Sequence, residues 1–412
     1  MIHRAAGAAL LIGVLAGAGC TRVVDAVSPT TGPSAWPTAD HAANSDPWLV
    51  AHHDTITAMA PRVLLLNFDN GATSDDVLQT AQLQAAAIAE GSRPHGYADS
   101  AATPFLQYDV LKVVDLTDHP PPPNWANPSS TLLPTTPDGQ FDPTALFTSQ
   151  FADAYGFQDA SGKSLTLCQL YQQGAINELW IEDGEAGPRR APLNIESRQV
   201  YDNNGNAIPG AFMPCLGGGG CLDQVICGVT VRMAHLDRAR GPGCDLQVRG
   251  WGIEGMWDAL PSYADDAHAF LNADFDTRFM VQFTGFAQLC DQAGDPCVSY
   301  PNDHEATGTY GDGSTWTIQP FLQGCGSTQF PPNARARNDF DNSTVVQARC
   351  QGFGQGGATG GGDVYQPYSA STVAAEDSAF PDCGGGWQIY WRQSMPGSGN
   401  AHLKNWWPFL FY

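Results

Sequence analysis

The chain has 412 residues and a formal net charge of −23, because 42 acidic side chains face 19 basic ones. This balance excludes nucleic acid and other polyanions as partners, since they require lysine and arginine side chains to neutralise their charge. Hydrophobic residues make up 42% of the chain, including 11 Trp and 19 Phe, which is enough for a packed core. The length allows one large domain or two closely packed ones.

The first twenty residues are predicted to be a lipoprotein-type signal peptide. An apolar run, Ala5–Ala16, is followed by small residues and Cys20. The run is too short to cross a bilayer, which takes about 20 residues. We expect Cys20 to carry a lipid; plain secretion is the alternative, because Gly17 stands where the lipoprotein pattern usually has an aliphatic residue. Residues 21–60 show no helical or strand periodicity in their apolar residues and are predicted to be a disordered tether. The prediction is a secreted or cell-envelope protein held to the membrane through this anchor.

Cysteine usage points to the same compartment. Of eleven cysteines, assigning one to lipid leaves ten, an even number that can form five disulfides in an oxidising environment. The sequence does not determine the pairing, but two local pairs are favoured by the flexible residues between them, Cys215 with Cys221 and Cys290 with Cys297. A zinc site is disfavoured because no Cys-x-x-Cys occurs.

An α/β core is predicted over residues 61–290. Arg62–Phe68 is a continuous apolar run, typical of a strand buried on both faces. A helix follows from Ser74, the expected cap, to Gly91, and a second strand covers Tyr108–Leu116. This alternation predicts a mostly parallel central sheet with flanking helices.

Further elements continue this pattern. The predicted helices are Pro143–Tyr155, Ser164–Gln173 and Asp245–Leu260, and the predicted strands are Ile176–Ile181, Gln224–Met233 and Arg278–Phe286. Ser197–Tyr201 and Ala207–Ala211 flank an Asn-Gly pair that predicts a tight hairpin. A calcium loop is the alternative there, since oxygen ligands alternate from Asp202, although the glycine and the late glutamate of an EF-hand are missing.

Residues 291–412 are predicted to form a loop-rich, disulfide-stapled part that contains β-structure. Thr307–Phe321 and Asn342–Gln351 are its predicted strand regions. The last residues, Lys404–Tyr412, are strongly aromatic. Such a tail is rarely left in water, so we expect it to pack on the α/β core.

Acidic side chains follow each predicted strand of the core. In an open α/β sheet, ligands bind outside the carboxyl ends of the parallel strands, so these residues are predicted to share one site. A glutamate on the following helix is expected to reach the same edge of the sheet. The residues are Asp69, Asp115, Glu182, Asp183, Glu185, His235, Asp237 and Glu254.

Carboxylates that converge in this way favour two kinds of chemistry. Two close carboxylates cannot both ionise cheaply, so one is protonated or a cation lies between them. A protonated and an ionised carboxyl group can cleave a glycosidic bond, whereas calcium or magnesium can hold substrate or brace loops. For each acid the alternative is a structural role at a turn or helix start. The chain has no Gly-x-Ser-x-Gly, His-Glu-x-x-His or P-loop motif.

Three motifs resemble those of a group of secreted bacterial proteins with no established activity. They are Asn-Glu-Leu-Trp at 177–180, Phe-Pro-Pro-Asn at 330–333 and Asn-Trp-Trp-Pro-Phe-Leu-Phe-Tyr at 405–412. The resemblance covers most of residues 60–412. It implies site roles for Glu178, Glu196 and Glu254.

This chain departs from the group at two places. Glu182–Glu185 replaces a segment rich in Trp, Gly and Pro, and Gly250-Trp251 replaces a Gly-His pair. Glu182 and Glu185 therefore depend on the strand-end argument alone, and we expect their segment to determine specificity.

The sequence thus favours an extracellular, lipid-anchored hydrolase that acts on a carbohydrate through carboxylates. The alternative is a non-catalytic surface binding or adhesion protein with structural calcium. No cofactor is assigned, and Ca²⁺ is the metal ion that the sequence favours if one is bound. The predicted catalytic residues are Asp69, Glu182, Glu196 and Glu254. The predicted binding residues are Asp115, Glu178, Trp180, Glu185, His235, Asp237 and Trp251.

Overall fold

A computed structural model describes the greater part of the chain from residue 55 onward. The described residues are 22–23, 48, 52, 55–117, 134, 136, 141–184, 195–202, 206–213, 226–229, 231–236, 238, 241–247, 249–250, 283–284, 298–309, 313–354, 364–397 and 405–408. Cys20 and the signal peptide lie outside these residues, as do four predicted site residues, Glu185, Asp237, Trp251 and Glu254.

A six-stranded mixed sheet forms the centre of the fold. Its strands are β1 (Arg62–Asn67), β2 (Asp109–Asp115), β3 (Glu178–Glu182), β4 (Ile195–Tyr201), β5 (Ala207–Met213) and β6 (Val231–His235). The order across the sheet is β2-β1-β3-β6-β4-β5. The first four strands of this order are parallel, while β4 runs antiparallel to β6 and pairs with β5 as a hairpin. The predicted α/β class with a parallel sheet is confirmed.

Helices cover both faces of the parallel strands. Side chains alternate along β1, so Val63 and Leu65 point to one face and Leu64 and Leu66 to the other. Helix α1 (Ser74–Gly91) packs on the first face. Helices α2 (Ser149–Tyr155) and α3 (Leu167–Gln172) pack on the second, preceded by a 3₁₀ turn at Pro143–Phe147. This double cover explains why β1 is a continuous apolar run.

The start of α1 differs from the prediction by one residue. Thr73, not Ser74, is the cap: its hydroxyl accepts from Asp76 N at 3.2 Å, and its own N donates to Asp76 Oδ2 at 3.0 Å. This reciprocal capping box satisfies two backbone donors. The Ser74 hydroxyl instead donates to Asp115 Oδ2 at 3.3 Å, which ties the start of α1 to the end of β2.

The C-terminal part contributes short antiparallel sheets and two helices. Its elements are β7 (Val298–Asn302), β8 (Glu305–Thr309), β9 (Thr315–Ile318), β10 (Val346–Ala348), β11 (Gln366–Tyr368), α4 (Ala374–Ala379) and α5 (Gly385–Gln393), with 3₁₀ turns at Ala370–Val373 and Asp382–Gly384. Strands β7 to β9 form a meander, and β10 pairs with β11. Elsewhere, Arg22–Val23 pairs with Phe157–Gln158.

The aromatic residues of this part pack against the same core face as α1. Trp387 and Trp391 of α5 are fully buried and donate through their indole nitrogens to Ser327 O and Gly326 O, both at 3.0 Å. The ring of Trp407, near the C-terminus, lies 5.8 Å from the ring of Phe105. One apolar cluster therefore joins the sheet, α1, α5 and the end of the chain.

Three sequence predictions were wrong in extent or type. The strand predicted at Gln224–Met233 begins only at Val231, because residues 226–229 form bends held by a disulfide at Cys227. Phe283, predicted to lie in a strand, is helical and packs among Phe353, Trp391 and Trp406, so tertiary packing overrides its β-propensity. Thr307–Phe321 does not form one strand, because it contains the end of β8 and the whole of β9, which pair antiparallel.

Three disulfides join distant parts of the chain, and they confirm the predicted use of cysteine. They are Cys168–Cys227, Cys244–Cys383 and Cys325–Cys350, with Cα–Cα distances of 5.0, 4.9 and 4.4 Å. Disulfides of this kind persist in oxidising compartments, so the protein is extracytoplasmic. None of the helices in the described part of the chain is long and apolar enough to cross a membrane.

The remaining four of the ten cysteines lie outside the described residues, and we predict that they form the local pairs Cys215–Cys221 and Cys290–Cys297. Alkylation of the mature, non-reduced protein should then add no label when Cys20 is lipidated and one label when it is not. Intact mass spectrometry before and after reduction measures this, with ten new labels expected on reduction. More than one label on the non-reduced protein would contradict the five-disulfide arrangement.

Candidate functional site

The carboxyl ends of β1, β3 and β6 bring ionisable side chains together. In the sheet register, Asn67 of β1 lies beside Glu182 of β3, and Ile181 lies beside His235 of β6. Two backbone hydrogen bonds extend the strands past their ends, from Phe68 N to Glu182 O and from Leu236 N to Ile181 O, both at 2.8 Å.

These side chains lie at the position in the sheet where open α/β proteins bind their ligands. The chain leaves β1 toward β2 on one side and then returns to β3 on the other side of β1. The strand order therefore reverses between β1 and β3, which is the topological switch point of an open α/β sheet. Open α/β sheets form a ligand crevice outside the carboxyl ends at such a point, and here Asp69 follows β1 while Glu182 is the last residue of β3.

Glu182 is the most perturbed acid of the site. It is only 2% exposed. Its Oε1 accepts from Gly184 N at 3.0 Å, and its Oε2 has no hydrogen-bond partner among the described residues. Burial raises the pKa of Glu182 to about 7, and the negative charge of Asp183 adds to this effect, while Gly184 N, His235 and Arg238 oppose it. Below neutral pH, Glu182 therefore carries a proton.

Asp69 is held in a different environment. Its Oδ1 accepts from Gly71 N at 2.8 Å, and its Oδ2 accepts from Arg238 Nη2 at 2.8 Å. The Asp69 side chain is 16% exposed and that of Arg238 is 36% exposed. The site thus has a buried acid and, nearer to solvent, a carboxylate paired with a guanidinium group.

Gly184 lies between the two carboxyl groups. Its backbone N donates to Glu182, while a Cβ added at Gly184 would lie 3.1 Å from Asp69 Oδ1. Its φ of +68° is a conformation that residues with a side chain rarely adopt. From these contacts and standard bond lengths, the carboxyl groups of Asp69 and Glu182 are at most ~9 Å apart.

A second pair lies behind Glu182. His235 Nε2 and Asp183 Oδ1 are 2.7 Å apart, and the two side chains are 2% and 0% exposed. The sequence predicted Asp237 as the partner of His235, and Asp237 lies outside the described residues. Asp183 takes this role because it follows Ile181, the register neighbour of His235, by two residues.

Asp115 closes a turn at the end of β2. Its Oδ1 accepts from Thr117 N at 3.0 Å and from Thr117 Oγ1 at 2.6 Å, and its Oδ2 accepts from Ser74. Asp115 neighbours Asn67 in the register, so it lies two strands away from Glu182. Its hydrogen bonds to Thr117 are those of a turn residue.

Two predicted glutamates lie at the other end of β3. Glu178 begins this strand, and Glu178 and Glu196 both neighbour Arg232 of β6. That row is four residues, about 13 Å, away from Glu182. The expectation that Glu196 shares the site of Glu182 is therefore wrong for its backbone position, because β4 enters the sheet antiparallel to β6. The Glu196 side chain is not among those described.

Glu178 is the centre of a buried polar network. Its Oε1 accepts from Tyr108 Oη and its Oε2 from Trp180 Nε1, both at 2.8 Å. Guanidinium nitrogens of Arg232 and Arg249 lie 3.8 and 3.6 Å from the carboxylate. Arg249 also stacks on the Trp180 ring at 4.6 Å. The binding roles predicted for Glu178 and Trp180 are thus replaced by a structural one, since both side chains are buried and engaged.

The described residues contain no group of three or more His, Cys, Asp or Glu side chains that could hold a metal ion. In the predicted hairpin, Asp202 Oδ1 accepts from Asn206 N at 2.8 Å. Asn206 also turns its side-chain nitrogen, not its oxygen, toward Asp202. These contacts fit the tight turn between β4 and β5.

Two site residues, Arg238 and Gly184, were absent from the predicted set, and Asp183 was predicted as a strand-end acid but not as the partner of His235. Only Arg238 could have been found from the sequence, because it is a basic residue just beyond the end of a strand that is otherwise followed by an acid. Gly184 gave no such signal, and the pairing of Asp183 with His235 gave none either, because these contacts depend on the position of Asp69 and on the register of β3 with β6.

No protein family model matches the chain, and neither a curated protein nor a solved structure matches it. The resemblance to secreted bacterial proteins therefore stays a prediction. Any function has to be argued from the site itself.

We predict that Glu178→Gln lowers the free energy of unfolding by about 2–3 kcal/mol, because it leaves two guanidinium groups, 11% and 14% exposed, without their carboxylate, where losing a fully buried partner costs about 3–5 kcal/mol. Chemical denaturation monitored by Trp fluorescence measures this loss. Glu305→Gln is the matched control: this carboxylate accepts one surface hydrogen bond from Asn302, and its loss should change stability by less than ~0.5 kcal/mol. Equal effects of the two substitutions would contradict the structural role of Glu178.

Proposed function

We propose that the protein is an extracellular hydrolase that cleaves a glycosidic bond, with Glu182 as general acid and Asp69 as the second carboxylate. The observation that carries this proposal is the contrast between the two groups at one crevice. The pKa of Glu182 is raised to about 7 by burial, whereas Asp69 is paired with Arg238 near solvent. Two carboxyl groups with opposite protonation are what glycoside hydrolysis requires.

Each residue then has a defined task. Glu182 donates its proton from Oε2, the oxygen without a described partner, to the leaving glycosidic oxygen. Asp69 either attacks the anomeric carbon or removes a proton from the attacking water. The separation limit of ~9 Å includes the spacings of both retaining and inverting enzymes. Arg238 holds the Asp69 side chain in place by donating to its Oδ2 at 2.8 Å.

A sugar suits this site on grounds of charge and hydrogen bonding. The net charge of −23 disfavours an anionic substrate. Asp69 and Arg238 are the more exposed members of the site, so hydroxyl groups of a sugar would meet them first and exchange hydrogen bonds with both. Stacking on Trp180 is not part of this proposal, because that ring is fully buried.

We further propose that Cys20 carries the lipid that anchors the protein outside the cytoplasm. The small residues before Cys20 and the three disulfides support this location. The proposed division is a tether over 21–60, an α/β core over 61–290 with a mostly parallel sheet, and a disulfide-stapled part over 291–412 that packs on this core.

One observation favours the second candidate function, a non-catalytic surface binding or adhesion protein with structural calcium. Glu182, Asp183 and His235 are all at most 5% exposed, as polar groups with a structural role would be. A substrate reaches Glu182 only when the Asp69–Arg238 pair or the surrounding chain moves aside.

We predict that the purified protein releases reducing ends from at least one member of a panel of neutral polysaccharides and peptidoglycan. Glu182→Gln and Asp69→Asn should each lower kcat by at least ~100-fold, because a positioned acid or base contributes 10²–10⁴-fold. The wild-type kcat/KM should fall as the pH rises through about 7, where the pKa of Glu182 implies loss of its proton.

Glu305→Gln, far along the chain in β8, is the control and should retain full activity. Glu196→Gln and Glu254→Gln test the other two predicted acids in the same assay. Turnover that is indifferent to both Glu182→Gln and Asp69→Asn would contradict the mechanism. Absence of turnover on the whole panel would favour the binding function, which the same panel then tests by measuring retention on the insoluble polysaccharides.

A further inference from the structure

We propose that the buried Asp183–His235 pair is a positioning unit for Glu182, which places an imidazolium charge beside the carboxyl group at the end of β3. The hydrolysis described above assigns no step to this pair. This inference rests on the proposed function for its catalytic meaning. The effect of the pair on Glu182 is nevertheless measurable without a substrate.

The geometry puts the pair directly behind the acid. Asp183 follows Glu182 in the chain, and His235 lies on the neighbouring strand at the level of Ile181. The distance of 2.7 Å between His235 Nε2 and Asp183 Oδ1 is that of a strong, charge-assisted hydrogen bond. A carboxylate that is 0% exposed requires such a partner, because burying an unpaired charge is very costly.

Holding the strands together does not by itself explain this pair. The ends of β3 and β6 are already joined by the backbone hydrogen bond from Leu236 N to Ile181 O. For stability alone, two apolar side chains of similar size would serve as well as a buried ion pair or better. A buried imidazole and carboxylate one residue from a buried acid therefore point to a role in placing charge.

The described charged groups around Glu182 and its neighbour Arg238 come from four elements. Asp183 lies on the same strand end, and His235 and Arg238 lie at the end of β6. The loop after β1 contributes Asp69, and the start of α1 contributes Asp76, both of which act on Arg238. His235 is the buried basic group of this set, while Arg238 is 36% exposed and partly screened by solvent.

The test is a titration of the Glu182 carboxyl group by NMR, with carbon-13 in the glutamate side chains and Glu182→Gln used to assign the signal. For wild type we expect a pKa of about 7. In His235→Gln, which keeps a hydrogen-bond donor but no charge, the midpoint should move up by roughly one pH unit, because an opposite charge a few ångströms away has been removed. His304→Gln is the matched control, since His304 pairs with Asp303 on the surface at 3.5 Å. It should leave the midpoint unchanged.

A folded His235→Gln protein with an unmoved Glu182 midpoint would overturn the proposal. Should this variant fail to fold, Asp183→Asn decides: removing the negative charge should lower the midpoint, and an unchanged midpoint would overturn the proposal equally. Failure of the hydrolase function would appear as absent turnover in wild type, with these titrations unaffected. The two failures are therefore distinguishable.

Discussion

The burial of one carboxyl group at the end of β3 is the constraint on which the site depends. Glu182 is the last residue of β3, an inner strand of the sheet that is covered on both faces. Its side chain is therefore almost completely shielded from water. Ionisation of a buried carboxyl group is costly, so burial raises the pKa of Glu182 to about 7 and the group keeps its proton up to about neutral pH. The backbone N of Gly184 and the positive groups beyond β6 limit this effect without cancelling it. Because these groups only partly offset the effect of burial, the Glu182 carboxyl group can gain or lose its proton near neutral pH.

A second buried glutamate, Glu178, lies on the same strand in a different environment. Glu178 and Glu182 lie four residues apart and point to the same face of β3, with Trp180 between them. Glu178 is surrounded by two arginines, a tyrosine hydroxyl and an indole N–H, so each of its oxygens has a hydrogen-bond donor. Glu182 has a single described donor on one oxygen. We therefore assign the first glutamate to stability and the second to chemistry.

The sequence was informative about elements and about the edge of the sheet where acids collect. The apolar run at Arg62–Phe68 and the acids after each strand depend on local pattern, and both are present in the structure. The sequence could not distinguish Glu178 from Glu182, because the difference lies in Tyr108, Arg232 and Arg249, which are brought together by the strand order. It also could not assign Asp183 to His235, since that pairing depends on the register between β3 and β6.

The most direct test of the central claim is the pH dependence of the unfolding free energy, compared between wild type and Glu182→Gln. The folded pKa of Glu182, about 7, lies above its ordinary value of 4.5, so its stabilising contribution is full below pH 4.5 and is lost as the pH rises through 7. We predict that wild type loses roughly 3 kcal/mol relative to Glu182→Gln between pH 4.5 and pH 8, as a carboxyl group buried in this way requires. A stability difference that does not change with pH, or that changes in favour of wild type as the pH rises, would contradict a protonated Glu182.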